Sequence, residues 1–405
     1  MPDRWVVVSL DGLATAPLGA YGSSWNETPA IDRMAALGTA WDRAIVDSDD
    51  SIDVLRGLWS RSSKGETWID ACKKQGRVEL FINAGPQAEQ LAKLSDELGF
   101  DECTLVEAVP DPDVFVPAST EVETTALAKL LIPVLERLGE PGANQPRDWS
   151  VLWVHGDSLL RCWDAPRWLF PVDEDQDEED ESPVDQVDWS IEDFELASFG
   201  DGYSDEAAKK PPSIFETVNV PYFELASDAH PDLVTSWMQT YGCQIRLVDR
   251  LVQLLLDAIE ASNGEIGLAL VGTSGFSLGQ NGWVGHLAGP LRSPQIHVPV
   301  VLFDGAGYGI RVPGAHAIGE VAEWLRPAAK GDEMARVSPK EWGDDESASK
   351  ASIVTQTNRA DRVLTTAEWF FVREVERVSL YLKPDDRDDA NDVADRCREV
   401  VESLQ

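Results

Sequence analysis

Basic side chains are scarce in this chain: 34 Lys and Arg stand against 72 Asp and Glu in 405 residues, a formal net charge of −38 at pH 7. A field of that sign repels phosphate backbones and anionic headgroups, which argues against nucleic acid and the membrane surface as partners. It also works against drawing sulfate or phosphate esters into a site. Long hydrophobic runs are missing too. No stretch approaches the roughly 18 apolar residues of a membrane span. The N-terminal run in "MPDRWVVVSL" meets Asp11 too early for a signal-peptide core. Cysteine is sparse: Cys72, Cys103, Cys162, Cys243 and Cys397 are odd in number and form no C-x-x-C pair. The expectation is reduced, structural thiols in a cytoplasmic protein.

What is present alternates between strand and helix signals. "VVVSL" (6–10) is a continuous apolar, β-branched run ending at a single carboxylate, Asp11, and a Gly- and Ala-rich turn. In "TPAIDRMAALG" Thr28 is placed to cap, Pro29 suits a first turn, and Gly38 stops a helix whose apolar face is Ile31, Met34, Ala35 and Leu37. "VELFIN" (78–83) is a second buried strand, followed by a helix near 87–98, and "DWSVLWVHG" (148–156) a third. Ile245, Val248, Leu251, Leu255, Leu256 and Ile259 stripe one face of a long helix that feeds "EIGLALVGTS" (265–274); "HVPVVLFDG" (297–305) adds another strand. This alternation predicts an α/β fold, a large mostly parallel sheet sandwiched by helices.

Two regions depart from the pattern. "DEDQDEEDESPVDQVDWSIEDFE" (173–195) is too acidic to order itself by burial and is expected to be a solvated insertion loop at about 173–210, with Trp189 and Phe194 docking locally. After Arg326 the chain turns polar and linker-like. "DRVLTTAEWFFVREVERVSLYLK" then reads as antiparallel strands and "DANDVADRCREVVESL" as a closing helix. The expected division is residues 1–330 for the α/β domain and 331–405 for a small C-terminal α+β subdomain.

The order of these motifs resembles the sulfatase family of the alkaline-phosphatase superfamily from about Trp5 to the C-terminus. "SLDGLATAPLGAYG" is similar to that family's strand-end Asp followed by L-G-x-Y-G, and "TPAIDRMAALGTAWDRAIV" to T-P-N-I-D-R-L-A-x-x-G-x-x-F-x-x-A. "ELGFDE", "IRLVDRLVQLLLDAIE", "HVPVVLFDG", "RVLTTAEWFFV" and "SLYLKPDDRDDANDVA" follow in the family's order.

The resemblance implies a divalent cation, Ca²⁺ or Mg²⁺, held by carboxylates at strand ends, with a nucleophile beside it and Lys, Arg and His around the ester. Position by position, the chain keeps little of this. Asp11 stands at the first metal carboxylate, but Gly12 replaces the second. The nucleophile segment falls on "SIDVLRGLWSR", which places Ser51 at the nucleophile and offers no substrate for formylglycine formation. Asn83 and Gly85 stand for the Lys and His of G-K-W-H. In "TSGFS" Gly275 replaces the metal-binding Asp and Phe276 the adjacent His or Asn. In "LGQNGWVGH", Gln280 and Asn281 stand for Asp and His, and His286 falls at the active-site Lys. A Gly offers no oxygen and a Phe excludes water, so the chain reads as a degenerate member without a cofactor.

His155, ending "VLWVHG", lies where open α/β sheets place sites, and it matches a recurrent family His. Asp249 is expected to be structural; Trp163 and Trp168 are expected to pack under the acidic loop, the alternative being an apolar, aromatic rim; His230 and His316 read as surface positions, and His297 precedes a strand. Three functions remain open: a pseudoenzyme binding a small ligand or protein partner in the old cleft; a divalent-metal ester hydrolase using Asp11 and Ser51, with His155 or His286 assisting and Asp50 or Asp53 as replacement ligands; and an interaction protein acting through the acidic loop.

Overall fold

The computed structural model describes residues 2–63, 65–107, 117–139, 148–171, 210–261, 266–305, 307–326 and 352–405. The acidic loop with Trp189 and Phe194, and the expected boundary between residues 330 and 331, lie outside the described residues.

Strand β1 (Arg4–Leu10) leads through a turn to helix α1 (Pro29–Leu37) and strand β2 (Thr39–Ile45). Helix α2 (Ser51–Trp59), strand β3 (Arg77–Asn83), helix α3 (Ala88–Leu98) and strand β4 (Glu102–Val106) follow. Helix α4 (Ala126–Gly139), strand β5 (Trp149–Gly156), the 28-residue helix α5 (Leu233–Glu260) and strand β6 (Ile266–Gly272) complete the centre. Strands β7 (His297–Val298), β8 (Val300–Phe303) and β9 (Ile310–Ala317) close the far edge.

These strands form one nine-stranded sheet in which β6, β1, β5, β3 and β4 pair in parallel, in that order. β7 and β8 alone run against the rest, pairing antiparallel with β2, and β8 also with β6. Pro299 separates these two segments; without an N–H it cannot donate to the ladder, and the register against β2 shifts by one residue across it.

Both faces are covered, as the unbroken apolar runs of the central strands require. On one face Val6, Val8, Leu152, Val154, Leu268 and Leu270 pack against α1, α4 and α5. Every residue of the expected apolar stripe on α5, from Ile245 to Ile259, is buried there. On the other face Trp5, Val7, Val151, Trp153, Ala269 and Val271 meet α2, α3 and the C-terminal strands.

Strand β2 escapes the sequence pattern because "TAWDRAI" carries a charged pair at its centre. Asp42 is used by Arg311 on the neighbouring β9 at 2.9 Å, and Arg43 donates to the carbonyls of Thr366 and Ala367. The N-terminus of α1 also departs from expectation. Thr28 makes no cap bond; its Oγ1 accepts from the Gly19 N–H and donates to Asp32. Instead the Asp249 carboxylate reaches across from α5 and accepts from the N–H groups of Ala30 (3.2 Å) and Ile31 (2.8 Å), the structural role expected of it.

The C-terminal subdomain is an antiparallel sheet of β10 (Ile353–Val354), β11 (Arg362–Thr365), β12 (Trp369–Arg373) and β13 (Val378–Leu382), covered by helix α6 (Arg398–Leu404). Period-two alternation divides its faces: Val363, Phe370, Val372 and Tyr381 join the main core, while Leu364, Phe371 and Leu380 meet α6. The closing helix is shorter than its sequence suggests. Asp386 and Asp392 accept from the N–H groups of Ala390, Asn391, Leu380 and Ala394, which holds the preceding stretch in turns.

Candidate functional site

The carboxyl ends of β1, β5 and β6 are tied together by backbone bonds: the Asp11 N–H donates to Gly156 O and the Thr273 N–H to Leu10 O, each at 3.0 Å. Parallel strands in register bring Ser9, His155 and Val271 side by side, so residues distant in sequence converge at this end. Asp11 is 1% exposed and His155 2%.

Asp11 Oδ1 accepts from Thr273 Oγ1. Its Oδ2 has no partner among the described residues and stands 3.7 Å from His155 Nε2, which has none either. The ring is held from behind: Ser9 Oγ lies 3.0 Å from His155 Nδ1, accepts from Trp153 Nε1 at 2.8 Å, and lies 3.1 Å from Val154 O. Just beyond β5, Asp157 pairs through Oδ2 with Arg161 at 3.2 Å and leaves Oδ1 unpartnered among the described residues. Burial pushes the Asp157 carboxyl up; Arg161 and His155 oppose this, and Asp11 adds to it.

Gly12, Gly85 and Gly275 each have a neighbour where a Cβ would lie. A Cβ on Gly12 would lie 2.4 Å from Leu160 Cδ2, and one on Gly85 2.0 Å from the Arg161 guanidinium. At Gly275 the obstruction is backbone: Pro294 O lies 2.0 Å from the point a Cβ would take. Phe276 stacks on Tyr241 with centroids 5.3 Å apart and planes at 13°, and leans on Trp163 at 5.4 Å. Tyr241 in turn donates to Gly12 O at 2.5 Å. The segment around Phe276 is thus part of an aromatic core joined to the turn after β1.

Other candidates are turned to structural tasks. Ser51 is the first residue of α2, and no hydrogen bond joins it to Asp11, His155 or His286 among the described residues. Asp50 caps that helix through the Ile52 N–H at 2.8 Å, and the exposed Asp53 lies 3.7 Å from Arg56. Asn83 is buried at the end of β3 with both amide atoms unpartnered among the described residues; its Oδ1 approaches the Gly156 side of the sheet. Asn281, at φ 58°, donates to Asp388 O at 2.7 Å and so ties its loop to the C-terminal subdomain. His286 Nδ1 faces Gly275 O at 3.2 Å, and burial lowers its pKa, which favours the neutral ring at neutral pH.

Trp163 is buried in the aromatic cluster, whereas Trp168 is 56% exposed, beside Arg250 and donating to Thr120 O; the acidic loop expected to cover the pair lies outside the described residues. His316 is also corrected: it is buried, between Glu320 and Pro313 O. His297 bonds to Asp42 O at 3.0 Å, and burial takes its pKa down to about 3, which leaves it a neutral structural group.

Asp157, Leu160 and Arg161 were not singled out from sequence. A carboxylate just past a buried strand, four residues before an Arg, is the signal that marks this pair.

A divalent cation of the kind the fold family implies needs six to eight oxygens for Ca²⁺ or an octahedral set for Mg²⁺. Here the donor set does not fit: Asp11 and Asp157 each leave one carboxylate oxygen and Asn83 its amide oxygen unpartnered among the described residues, short of such a set, and Gly12, Gly275 and Phe276 supply no side-chain oxygen. Among the described residues no group of three or more His, Cys, Asp and Glu could hold a metal ion.

No protein-family model matches the chain, and no curated protein sequence does. Solved structures do. The phosphonate monoester hydrolase of Agrobacterium radiobacter is similar with a TM-score of 0.63 at 14% identity, over 100% of this chain and 94% of that one. A putative sulfatase from Bacteroides thetaiotaomicron gives 0.63 at 12% identity, over 99% and 90%. A protein of the alkaline phosphatase superfamily from Vibrio parahaemolyticus gives 0.52 at 12%, over 100% and 88%. The chain therefore has the fold of the alkaline-phosphatase and sulfatase superfamily.

Proposed function

We propose that this chain is a pseudoenzyme of that fold, which has lost metal-dependent ester hydrolysis and binds a small ligand or a partner at the carboxyl end of its sheet. The observation that carries this is Gly275. The position that supplies a metal carboxylate in the sulfatase family is blocked by the backbone carbonyl of Pro294, so no neighbouring rotamer change readmits an acidic side chain. The proposed loss extends to the nucleophile, because Ser51 has no base in hydrogen-bond contact among the described residues.

The test is turnover of 4-nitrophenyl sulfate, phosphate and phosphonate esters with Ca²⁺, Mg²⁺ or Mn²⁺ present. The expected rate equals that of the no-protein control. Turnover that disappears in both Asp11→Ala and Ser51→Ala would overturn the proposal in favour of a metal-dependent hydrolase.

A further inference from the structure

We infer that His316 is a pH-sensitive latch at the edge of the main sheet: its protonated ring ties the bulge of β9 to the turn that follows the strand, and loss of the proton as pH rises frees that corner. The inference does not rest on the pseudoenzyme reading.

Strand β9 pairs with β2 in parallel, and its register slips between Val312 and Ala315. The two residues between account for the slip. Pro313 has no N–H for the ladder, and Gly314 takes φ 85°, a left-handed value that favours glycine. Beyond the bulge His316 is 5% exposed, and both ring nitrogens face oxygen atoms. Nδ1 lies 3.1 Å from Glu320 Oε2, and Nε2 lies 2.8 Å from Pro313 O. A carbonyl and an ionised carboxylate only accept. A neutral imidazole owns one N–H and satisfies one of them; the imidazolium satisfies both. Removing the proton sets a bare nitrogen against an oxygen at hydrogen-bond distance, and one contact must open.

Pro313 precedes the ring and Glu320 follows it, so the ring clamps the bulge to the turn Ile318–Glu320. That turn lies against α2, and β9 lies against β10 of the C-terminal subdomain. The next residues, Val321–Trp324, bring Trp324 edge-on to Trp41 of β2 at 5.2 Å. The latch thus sits where the main sheet, α2 and the C-terminal subdomain meet.

The surrounding charges favour the proton. Burial works against a charged ring, but the bonds to Glu320 and Pro313 O oppose it, the Glu320 and Asp42 charges add to them, and the pKa lies above the ordinary value. The other charged side chains on the elements against β9 and its turn have partners of their own. Asp42 on β2 is shared with Arg311 at 2.9 Å, and Arg43 donates to the carbonyls of Thr366 and Ala367. On α1 Asp32 accepts from Thr28 and Arg33 pairs with Glu260. On α2 Asp53 lies 3.7 Å from Arg56, and after the turn Glu323 lies 3.1 Å from Arg326. A His whose folded pKa is raised adds stability below its unfolded value, and that contribution is lost as pH climbs through the folded value.

The test is an NMR titration of the five histidine rings of the full chain, with amide hydrogen exchange by mass spectrometry beside it. The His316 signal, assigned with His316→Gln, is expected to titrate with a midpoint above 6.5, the ordinary value. Between pH 6 and pH 8.5, exchange over residues 310–326, corrected for its intrinsic rate, should quicken by about tenfold or more, and by more than exchange over β1. Glu320→Gln should lower the ring midpoint and remove the local pH dependence. A ring midpoint at or below 6.5 overturns the inference. So does exchange over residues 310–326 that only follows β1, because a charged His316 would then hold nothing. If the variants do not fold, the wild type decides: a local opening whose midpoint coincides with that of a ring titrating above 6.5 supports the latch, and an opening that matches no such ring overturns it.

Discussion

The carbonyl oxygen of Pro294 lies 2.0 Å from the point a Cβ on Gly275 would occupy. The two cannot simply part, because the Gly275 N–H donates to Gln295 O at 2.9 Å and Gln295 is itself buried and bonded to Ala288 O. The residue after Gly275 anchors an aromatic stack. The Gly275 position is thus closed by packing on both sides.

Introducing an acid there is therefore expected to damage the fold without creating a metal site. Gly275→Asp must displace backbone and bury a carboxylate, and should destabilise by about 3 kcal/mol or more. Urea unfolding measures this. A Gly275→Asp protein of wild-type stability that binds Ca²⁺ would contradict the steric account.

Asp249 gives a prediction with a pH sign. Its carboxylate caps α1 from a distance of 218 residues in sequence, and Asp249→Ala should cost about 1–2 kcal/mol. Burial pushes its pKa up to about 6, with the bonds from Ile31 and Ala30 opposing. A carboxyl with a raised folded pKa binds more protons folded than unfolded, so stability falls as pH rises through the interval from about 4 to 6. Asp47, Asp157, Asp164 and Asp389 are raised in the same direction by burial. With a net charge of −38, the chain is expected to melt higher near pH 5.5 than at pH 8. Asp249→Asn should flatten that slope. A Tm that rises steadily from pH 5.5 to 8 would contradict the burial account.

The sheet was legible in the sequence and much of the site was not, for a physical reason. Continuous runs such as "VVVSL" and "GLALVG" announce strands buried on both faces, and the α5 stripe announces its packed side. Asp11 and Gly275 could be placed by motif order. Thr28 was mistaken for a cap because the competing carboxylate, Asp249, is brought in by tertiary packing that no local window contains. Arg161 and Leu160 occupy the space beside Gly85 and Gly12, and such packing is invisible until the strands are set side by side. From the sequence His316 reads as exposed; in the fold its ring is buried between Glu320 and Pro313 O.

The C-terminal subdomain is locked by a buried ion pair. Lys383 Nζ meets Asp389 Oδ1 at 2.5 Å, with both side chains almost wholly buried, and the same carboxylate accepts from the Ser293 N–H and hydroxyl. Lys383→Met strands that carboxylate and should cost about 3–5 kcal/mol. The checks are urea unfolding and faster proteolysis near residues 383–398. A change below about 1 kcal/mol would show that Ser293 alone satisfies Asp389.

The most direct test of the account is the metal content of the purified protein by elemental analysis, after dialysis against trace Ca²⁺, Mg²⁺, Mn²⁺ and Zn²⁺, with Asp11→Ala measured beside it. The account predicts well under one equivalent of any divalent metal in both proteins. About one tightly held equivalent in the wild type and none in Asp11→Ala would contradict it, and would return the chain to the metal-dependent hydrolases whose fold it shares.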